Sequence, residues 1–208
     1  MRPMRFRQTY ADLAATVLSR PPRLGRTRLV AVDGGSGAGK TSFALRLAKQ
    51  LDAPVVHTDD LLDGWDDQFT FWERLERQVL GPVRRGERAT YLRYRWDRGE
   101  FAGPPLTVGP APGVLLLEGV SAARREIRAE LSFSVFVTAS PDLRLARALA
   151  RDGDDSLAFR AYLERWRAAE DRHFAEDQTA AAADLVVDGA AGVSDDRFAR
   201  LGMPEEGT

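Results

Sequence analysis

Asp33-Gly34-Gly35-Ser36-Gly37-Ala38-Gly39-Lys40-Thr41-Ser42 is the stretch whose reading decides the fold. From Gly34 to Thr41 it spells G-x-x-x-x-G-K-[ST], the pattern of a loop that cradles phosphates. Ahead of it, Leu29-Val30-Ala31-Val32 is short, apolar and rich in β-branched residues, as a buried strand requires. Behind it, Ala44, Leu47, Ala48 and Leu51 recur at helical spacing. Glycines let the backbone turn tightly and aim successive N–H groups at one point, and the following helix adds its positive end there. Gly35, Ser36, Gly37, Ala38, Gly39, Lys40, Thr41 and Ser42 are therefore expected to surround the phosphates of a nucleotide. Lys40 would reach the β- and γ-phosphates, and the Thr41 hydroxyl would bind Mg²⁺. Lys40 and Lys49 are the only lysines in a chain that otherwise uses arginine, so a compact ammonium stands where a phosphate cradle needs one.

Composition narrows the functional classes. The chain has 208 residues, enough for one α/β domain with a full core. A net charge of −1 offers no global attraction for nucleic acid or an anionic membrane. With no cysteine, disulfides and thiolate metal sites are excluded. Met1 to Arg7 is basic but lacks the apolar centre of a signal peptide, and the longest aliphatic run, Val114 to Leu117, is too short to span a bilayer. These features predict a soluble cytoplasmic protein with no nucleic-acid or membrane partner; oligomeric state stays open, a homodimer included.

Further along the chain, Gln8 to Arg20 carries Leu13, Val17 and Leu18 at helical spacing, and a Pro-Pro turn follows. Pro54 to Thr58 reads as a second strand closing on Asp59-Asp60, and Leu61 to Phe69 as a loop. Thr70 and Glu73 form a candidate capping box for a helix that Gly81-Pro82 should bend or end. Thr90 to Arg98 suits either a strand edge or a ligand-facing loop, and Gly103 to Pro112 is a Pro-rich connector. Gly113 to Gly119 is the clearest buried strand, and Leu131 to Thr138 is another. Two helices then follow, the second aligning Phe159, Leu163 and Trp166, and Ala183 to Gly189 is a last short strand. Five apolar strands alternating with helices predict an α/β fold, a parallel five-stranded sheet with helices on both faces. One domain is expected over 1–208: an N-terminal helix and linker over 1–27, the core over 28–189 and a loosely ordered tail over 190–208.

In such a sheet ligands sit at the carboxyl ends of the strands. Those ends carry the glycine loop, Asp59-Asp60 and Glu118. A carboxylate after the second strand can accept the proton of an acceptor hydroxyl or hold Mg²⁺, and the Asp59-Asp60 pair could divide the two tasks. Glu118 stands where a second acidic group would order the metal and its water. Arg144, Arg147 and Arg151 fall on one helix face, opposite Leu145, Ala148 and Leu149, and could clamp phosphates, with Gly153 in the turn that follows. Tyr91, Arg93, Arg95 and Trp96 are candidate walls for an acceptor, by stacking and hydrogen bonds. His57 and His173 are isolated in the sequence and carry no expected role.

The glycine loop, then strand-Thr58-Asp59-Asp60-Leu61-Leu62, then Leu117-Glu118-Gly119, resembles the uridine kinase-like kinases, which also include pantothenate and nicotinamide riboside kinases. The resemblance runs from about Leu29 to Gly189. It implies a P-loop NTPase three-layer sandwich with strand order 2-3-1-4-5, ATP and Mg²⁺ as cofactors, and a small-molecule acceptor. By the same likeness Asp59 is the base for the acceptor hydroxyl, Glu118 takes the second acidic place, and Arg147 and Arg151 fall in the lid. With the loop's own chemistry, Lys40 is expected to be catalytic and Thr41, Asp60 and Glu118 to hold the metal. Leu61-Leu62 departs from the aromatic pair of true uridine kinases. The expected activity is transfer of the γ-phosphoryl group of ATP to a hydroxyl of a nucleoside-like compound. A nucleoside monophosphate kinase and an ATP-driven switch are the alternatives; a guanine-reading switch would need an Asn-Lys-x-Asp motif, and the chain has no asparagine.

Overall fold

The computed structural model describes residues 4–152, 156–191 and 194–202. Its centre is strand β2 (Arg28–Asp33), whose side chains alternate between two faces and are buried on both. Leu29 and Ala31 enter one apolar cluster, with Leu115, Leu117, Phe71, Leu75 and Val79. Val30 and Val32 enter the other, with Leu116, Val135, Val137, Leu13, Val17, Phe43 and Leu47. A continuous apolar run bounded by turns thus became a central strand because helices cover both of its sides.

In chain order the elements are β1 (Met4–Thr9), α1 (Tyr10–Ser19), β2, α2 (Lys40–Leu51), β3 (Val55–His57), α3 (Trp72–Leu75) and α4 (Gly81–Arg84). Four short strands follow, β4 (Ala89–Tyr91), β5 (Tyr94–Arg95), β6 (Glu100–Phe101) and β7 (Leu106–Val108). Then come β8 (Val114–Glu118), β9 (Leu131–Thr138), α5 (Pro141–Asp152), α6 (Leu157–Asp177), α7 (Thr179–Ala182), β10 (Leu185–Asp188) and β11 (Arg197–Gly202). The main sheet runs β1-β11-β10-β9-β2-β8-β3. From β10 to β3 neighbours are parallel, and β11 and β1 add antiparallel strands at one edge.

Several expectations need correction. The sheet has seven strands rather than five. Part of the stretch read as a loose tail is β11, paired along its length with β1 from Met4↔Gly202 to Thr9↔Arg197. The N-terminal segment likewise opens with a strand before its helix. Neither strand is legible alone, because each is a short mixed run whose backbone groups are satisfied only by the opposite end of the chain. Residues 192–193 and 203–208 of the tail, and Gly153, lie outside the described residues.

Thr70 and Glu73 form no capping box: α3 has Phe71 at its N-cap with no side-chain cap, and the Thr70 hydroxyl donates to Asp67. Gly81-Pro82 does not end the helix. A π turn over Glu76–Leu80 joins α3 to α4, with Gly81 N–H bonded to Glu76 O, and Pro82 falls in the first turn of α4, where a missing N–H costs least. The Leu61–Phe69 loop contains a 3₁₀ turn, Trp65–Asp67. Thr90–Arg98 contributes to two short antiparallel pairs, β4 with β7 and, between them in sequence, β5 with β6.

Candidate active site

The glycine loop leaves β2 at Asp33, which is wholly buried and accepts N–H groups from Gly34 (2.7 Å), Ser121 (3.1 Å) and Ala123 (2.8 Å). Burial pushes its carboxyl up to about 7, against these hydrogen bonds and the Lys40 charge. Asp33 thereby stitches the start of the loop to the turn after β8. Gly34 turns the chain at φ +138, and a Cβ there would lie 2.1 Å from Val137 O, so only glycine fits. Gly39, at φ +104, is the N-cap of α2, so the helix opens directly onto the loop. Lys40 is nearly buried, its Nζ donating to Gly35 O at 3.3 Å.

Beside the loop stand the acids of neighbouring strand ends. Glu118, last in β8, accepts from Thr41 Oγ1 at 3.2 Å and meets His57 Nδ1 at 2.5 Å. Burial alone would raise the Glu118 carboxyl, but the His57 hydrogen bond, Lys40 and Thr41 outweigh it and hold it low. The same Glu118 bond raises the His57 imidazole above its ordinary range, so His57 is not the isolated residue its sequence position suggests. Asp59 is open to the cleft but ringed by protein, which raises its carboxyl while Lys40 pulls it down. Asp60 turns to the other side, its Oδ1 on Arg93 Nε at 2.8 Å.

The arginine face of α5 points inward. Arg144 is nearly buried, with Nε on Ser36 O at 3.1 Å and Nη2 on Glu170 at 2.5 Å. Arg147 donates to Gly37 O (3.2 Å), Ala38 O (3.4 Å) and Gly189 O (3.0 Å), binding the loop to the end of β10. Glu170 is wholly buried and also accepts from Ser36 N–H at 3.0 Å and Trp166 Nε1 at 2.9 Å.

Two cavities meet at this point. One, of about 340 Å³, is lined by the loop from Ser36 through Ser42 except Ala38, with Arg147 and Gly189. The other, of about 540 Å³, is walled by His57, Asp60, Leu62, Arg93 and Arg144 and by three tryptophans, Trp65, Trp96 and Trp166. Ser36, Thr41, Asp59, Glu118 and Arg151 line both.

Of the residues expected from the sequence, the first cavity gathers Ser36, Gly37, Gly39, Lys40, Thr41, Ser42, Asp59, Glu118, Arg147 and Arg151. Gly35 and Ala38 are not among its lining and border a separate cavity with Phe136 and Phe174. Asp60, Arg93 and Trp96 border the second cavity. Tyr91 and Arg95 border neither. Tyr91 is buried in the core and lines a separate cavity with Arg74 and Phe101, and Arg95 pairs with Asp97 at 3.1 Å on the surface. Tyr91 ends β4 and Arg95 ends β5, whereas Arg93 and Trp96 lie in the links outside these strands, a division that a linear reading of the cluster merged. Trp65, Trp166 and Glu170 were missed. Glu170 did leave a signal: it continues the Phe159, Leu163, Trp166 stripe by one helical step, an acid on an apolar face.

No family model matches the chain. The uridine kinase of Macrococcus caseolyticus is 25% identical over 146 residues, covering 62% of this chain and 70% of that protein. The uridine kinase of Staphylococcus haemolyticus matches with the same identity and coverage. A possible uridine kinase from Bacillus stearothermophilus superposes with a TM-score of 0.62 at 21% identity, over 85% of this chain and 96% of its own. A putative fructose transport system kinase from Silicibacter sp. gives 0.56 at 24% identity, over 85% and 95%. The mostly parallel α/β sheet matches the fold of these solved structures, and the similarity to the two uridine kinases supports a kinase. Within that class the chain is similar to the uridine kinases, at 25% identity.

Proposed function

We propose that the protein transfers the γ-phosphoryl group of ATP to a hydroxyl of a small molecule, a nucleoside or nucleoside-like compound, in the cytoplasm. The observation that carries this reading is the position of Asp59 at the junction of the two cavities. A phosphotransferase needs donor phosphates on one side of a carboxylate and an acceptor hydroxyl on the other.

The loop N–H groups and Lys40 bind the donor phosphates, and Lys40 exchanges the Gly35 carbonyl for a phosphate oxygen. The acceptor hydroxyl oxygen attacks the γ-phosphorus, the bond to the β,γ-bridging oxygen breaks, ADP leaves, and the hydroxyl proton passes to Asp59. Arg151, bordering both cavities, lies where charge spreads in the transition state. Among the described residues no three acids or histidines gather as a metal cage. That fits Mg²⁺, which takes few protein ligands and keeps waters and phosphate oxygens. Thr41 and Glu118, already in contact, are the groups that would hold it, and it would supply positive charge to neutralise the donor phosphates. Asp60, committed to Arg93, serves the acceptor wall rather than the metal.

The nucleoside monophosphate alternative needs free arginines for an acceptor phosphate. Arg93 pairs with Asp60, and Arg95 and Arg98 pair with Asp97, so that cluster offers no free arginine for one. The test is a panel of nucleosides, nucleoside monophosphates and vitamins scored for acceptor-dependent ADP formation, with Lys40→Ala as control. Hydrolysis of ATP at the same rate with and without every acceptor would replace the kinase with a switch.

A further inference from the structure

The acceptor cavity has a composition that the reaction itself does not require. Trp65 and Trp96 are 43% and 39% exposed, large apolar faces left open at the cavity wall. Trp65 lies 4.6 Å from Trp96 and 5.6 Å from the nearly buried Trp166, centroid to centroid, so the three indoles form one continuous surface. Indoles gathered in this way stack on flat rings or surround a cation. Charge decides between the two. Arg93, Arg144, Arg151 and Arg167 border the cavity against Asp59, Asp60 and Glu118. With Asp60 taken by Arg93 and Glu118 by His57 and Thr41, a cation there would meet an excess of like charge.

The arginines are not equivalent. Arg93 is paired with Asp60, and Arg144 with Glu170. Arg151 is shared with the phosphate cavity. Arg167 borders the acceptor cavity alone, makes no ion pair among the described residues, and keeps a buried Nε with no hydrogen-bond partner. A buried donor left unmatched is costly unless a ligand completes it. It follows Trp166 on α6, whereas Asp59 and Asp60 stand on the turn after β3, so the cation and the proton acceptor belong to different walls.

We propose that the acceptor carries a flat aromatic ring with an anionic substituent, carboxylate or phosphate, the ring resting on Trp65, Trp96 and Trp166 and the anion meeting Arg167. This rests on the kinase reading for the hydroxyl presented to Asp59, but the recognition is separate from the chemistry. Arg167 acts as a specificity determinant: a planar guanidinium binds an anion through paired donors, and the same buried donor stays unmet by a neutral ring.

Matched pairs that differ in one charge test it by titration calorimetry: uridine against orotidine, nicotinamide riboside against nicotinate riboside, pyridoxine against 4-pyridoxate, and ribose 5-phosphate as an anion without a ring. At least one anionic ring should bind ten times or more tighter than its neutral partner and tighter than ribose 5-phosphate. Arg167→Gln should erase that preference while leaving the neutral partner's affinity unchanged, Arg167→Lys should keep part of it, and Trp96→Ala should weaken both members alike. Arg95→Gln, on a side chain outside the cavity, should change nothing; circular dichroism confirms that each variant is folded. Equal binding within every pair, a preference that survives Arg167→Gln, or no binding by any anionic ring overturns the proposal. Carboxylate and phosphate substituents on one ring distinguish the two anions. The kinase reading fails or stands separately: a preferred anionic ring that never yields ADP sinks that reading, and a higher kcat/KM with neutral nucleosides than with every anionic ring sinks this one.

Discussion

Glu170 on α6 accepts the backbone N–H of Ser36 at 3.0 Å, so a wholly buried carboxylate holds the phosphate loop from behind. The same carboxylate carries Arg144 of α5 and the indole N–H of Trp166, a wall of the acceptor cavity. Loop, arginine helix and acceptor wall therefore share one anchor. Removing one partner of a buried pair strands the other, at a cost of about 3–5 kcal/mol.

Glu170→Gln should accordingly lower Tm by on the order of 10 °C and raise the KM for ATP. Combining Glu170→Leu with Arg144→Leu should cost less than the sum of the single changes, since no stranded charge remains. Thermal unfolding and steady-state kinetics on the single and double variants check this; strict additivity would mean the pair is not coupled.

Asp59 and Asp60 are neighbours with different surroundings, one at the junction of the cavities and one on Arg93. Asp59→Asn should reduce acceptor phosphorylation roughly a hundredfold to ten-thousandfold with ATP affinity intact. Asp60→Asn should act mainly on the KM for the acceptor, by releasing Arg93. A larger kcat loss for Asp60→Asn reverses the assignment.

The two arginines of α5 that border the phosphate cavity should separate by assay. Arg147 spans three backbone carbonyls of the loop and the end of β10, so Arg147→Ala should lower both Tm and ATP affinity. Arg151→Ala should lower kcat by more than it raises the KM for ATP. If Arg151→Ala leaves kcat at the wild-type value, the helix contributes architecture only.

Asp67 fastens the turn that carries Trp65. It accepts from Asp63 N–H at 2.8 Å and Arg74 Nη1 at 2.7 Å, and from the Thr70 hydroxyl. Burial opposes ionisation, but Thr70, Arg74 and Asp63 outweigh it and hold the carboxyl below its usual range. A depressed folded pKa gives stability that is complete above the unfolded value, about 3.9, and is lost as pH falls through the folded value. Acid titration should loosen the Trp65 turn in that window, seen in tryptophan fluorescence, and Asp67→Asn should abolish that limb of the curve. A variant with an unchanged acid transition would place the titration elsewhere.

The glycine loop, its strand and its helix were legible because they are local: consecutive residues set the turn, and side-chain period sets the faces. Asp59 and Glu118 were legible for a related reason, since a parallel sheet delivers all its strand ends to one rim. Periodicity tells which face of an element is apolar or charged, but not what that face meets. The arginine face of α5 could have been solvated; only its packing against the loop made it part of the site. The β1–β11 pairing, the Glu170 anchor and the gathering of Trp65, Trp96 and Trp166 join residues far apart in sequence. Their contact energy exists only once the chain between them has been ordered, so it leaves no local pattern to read.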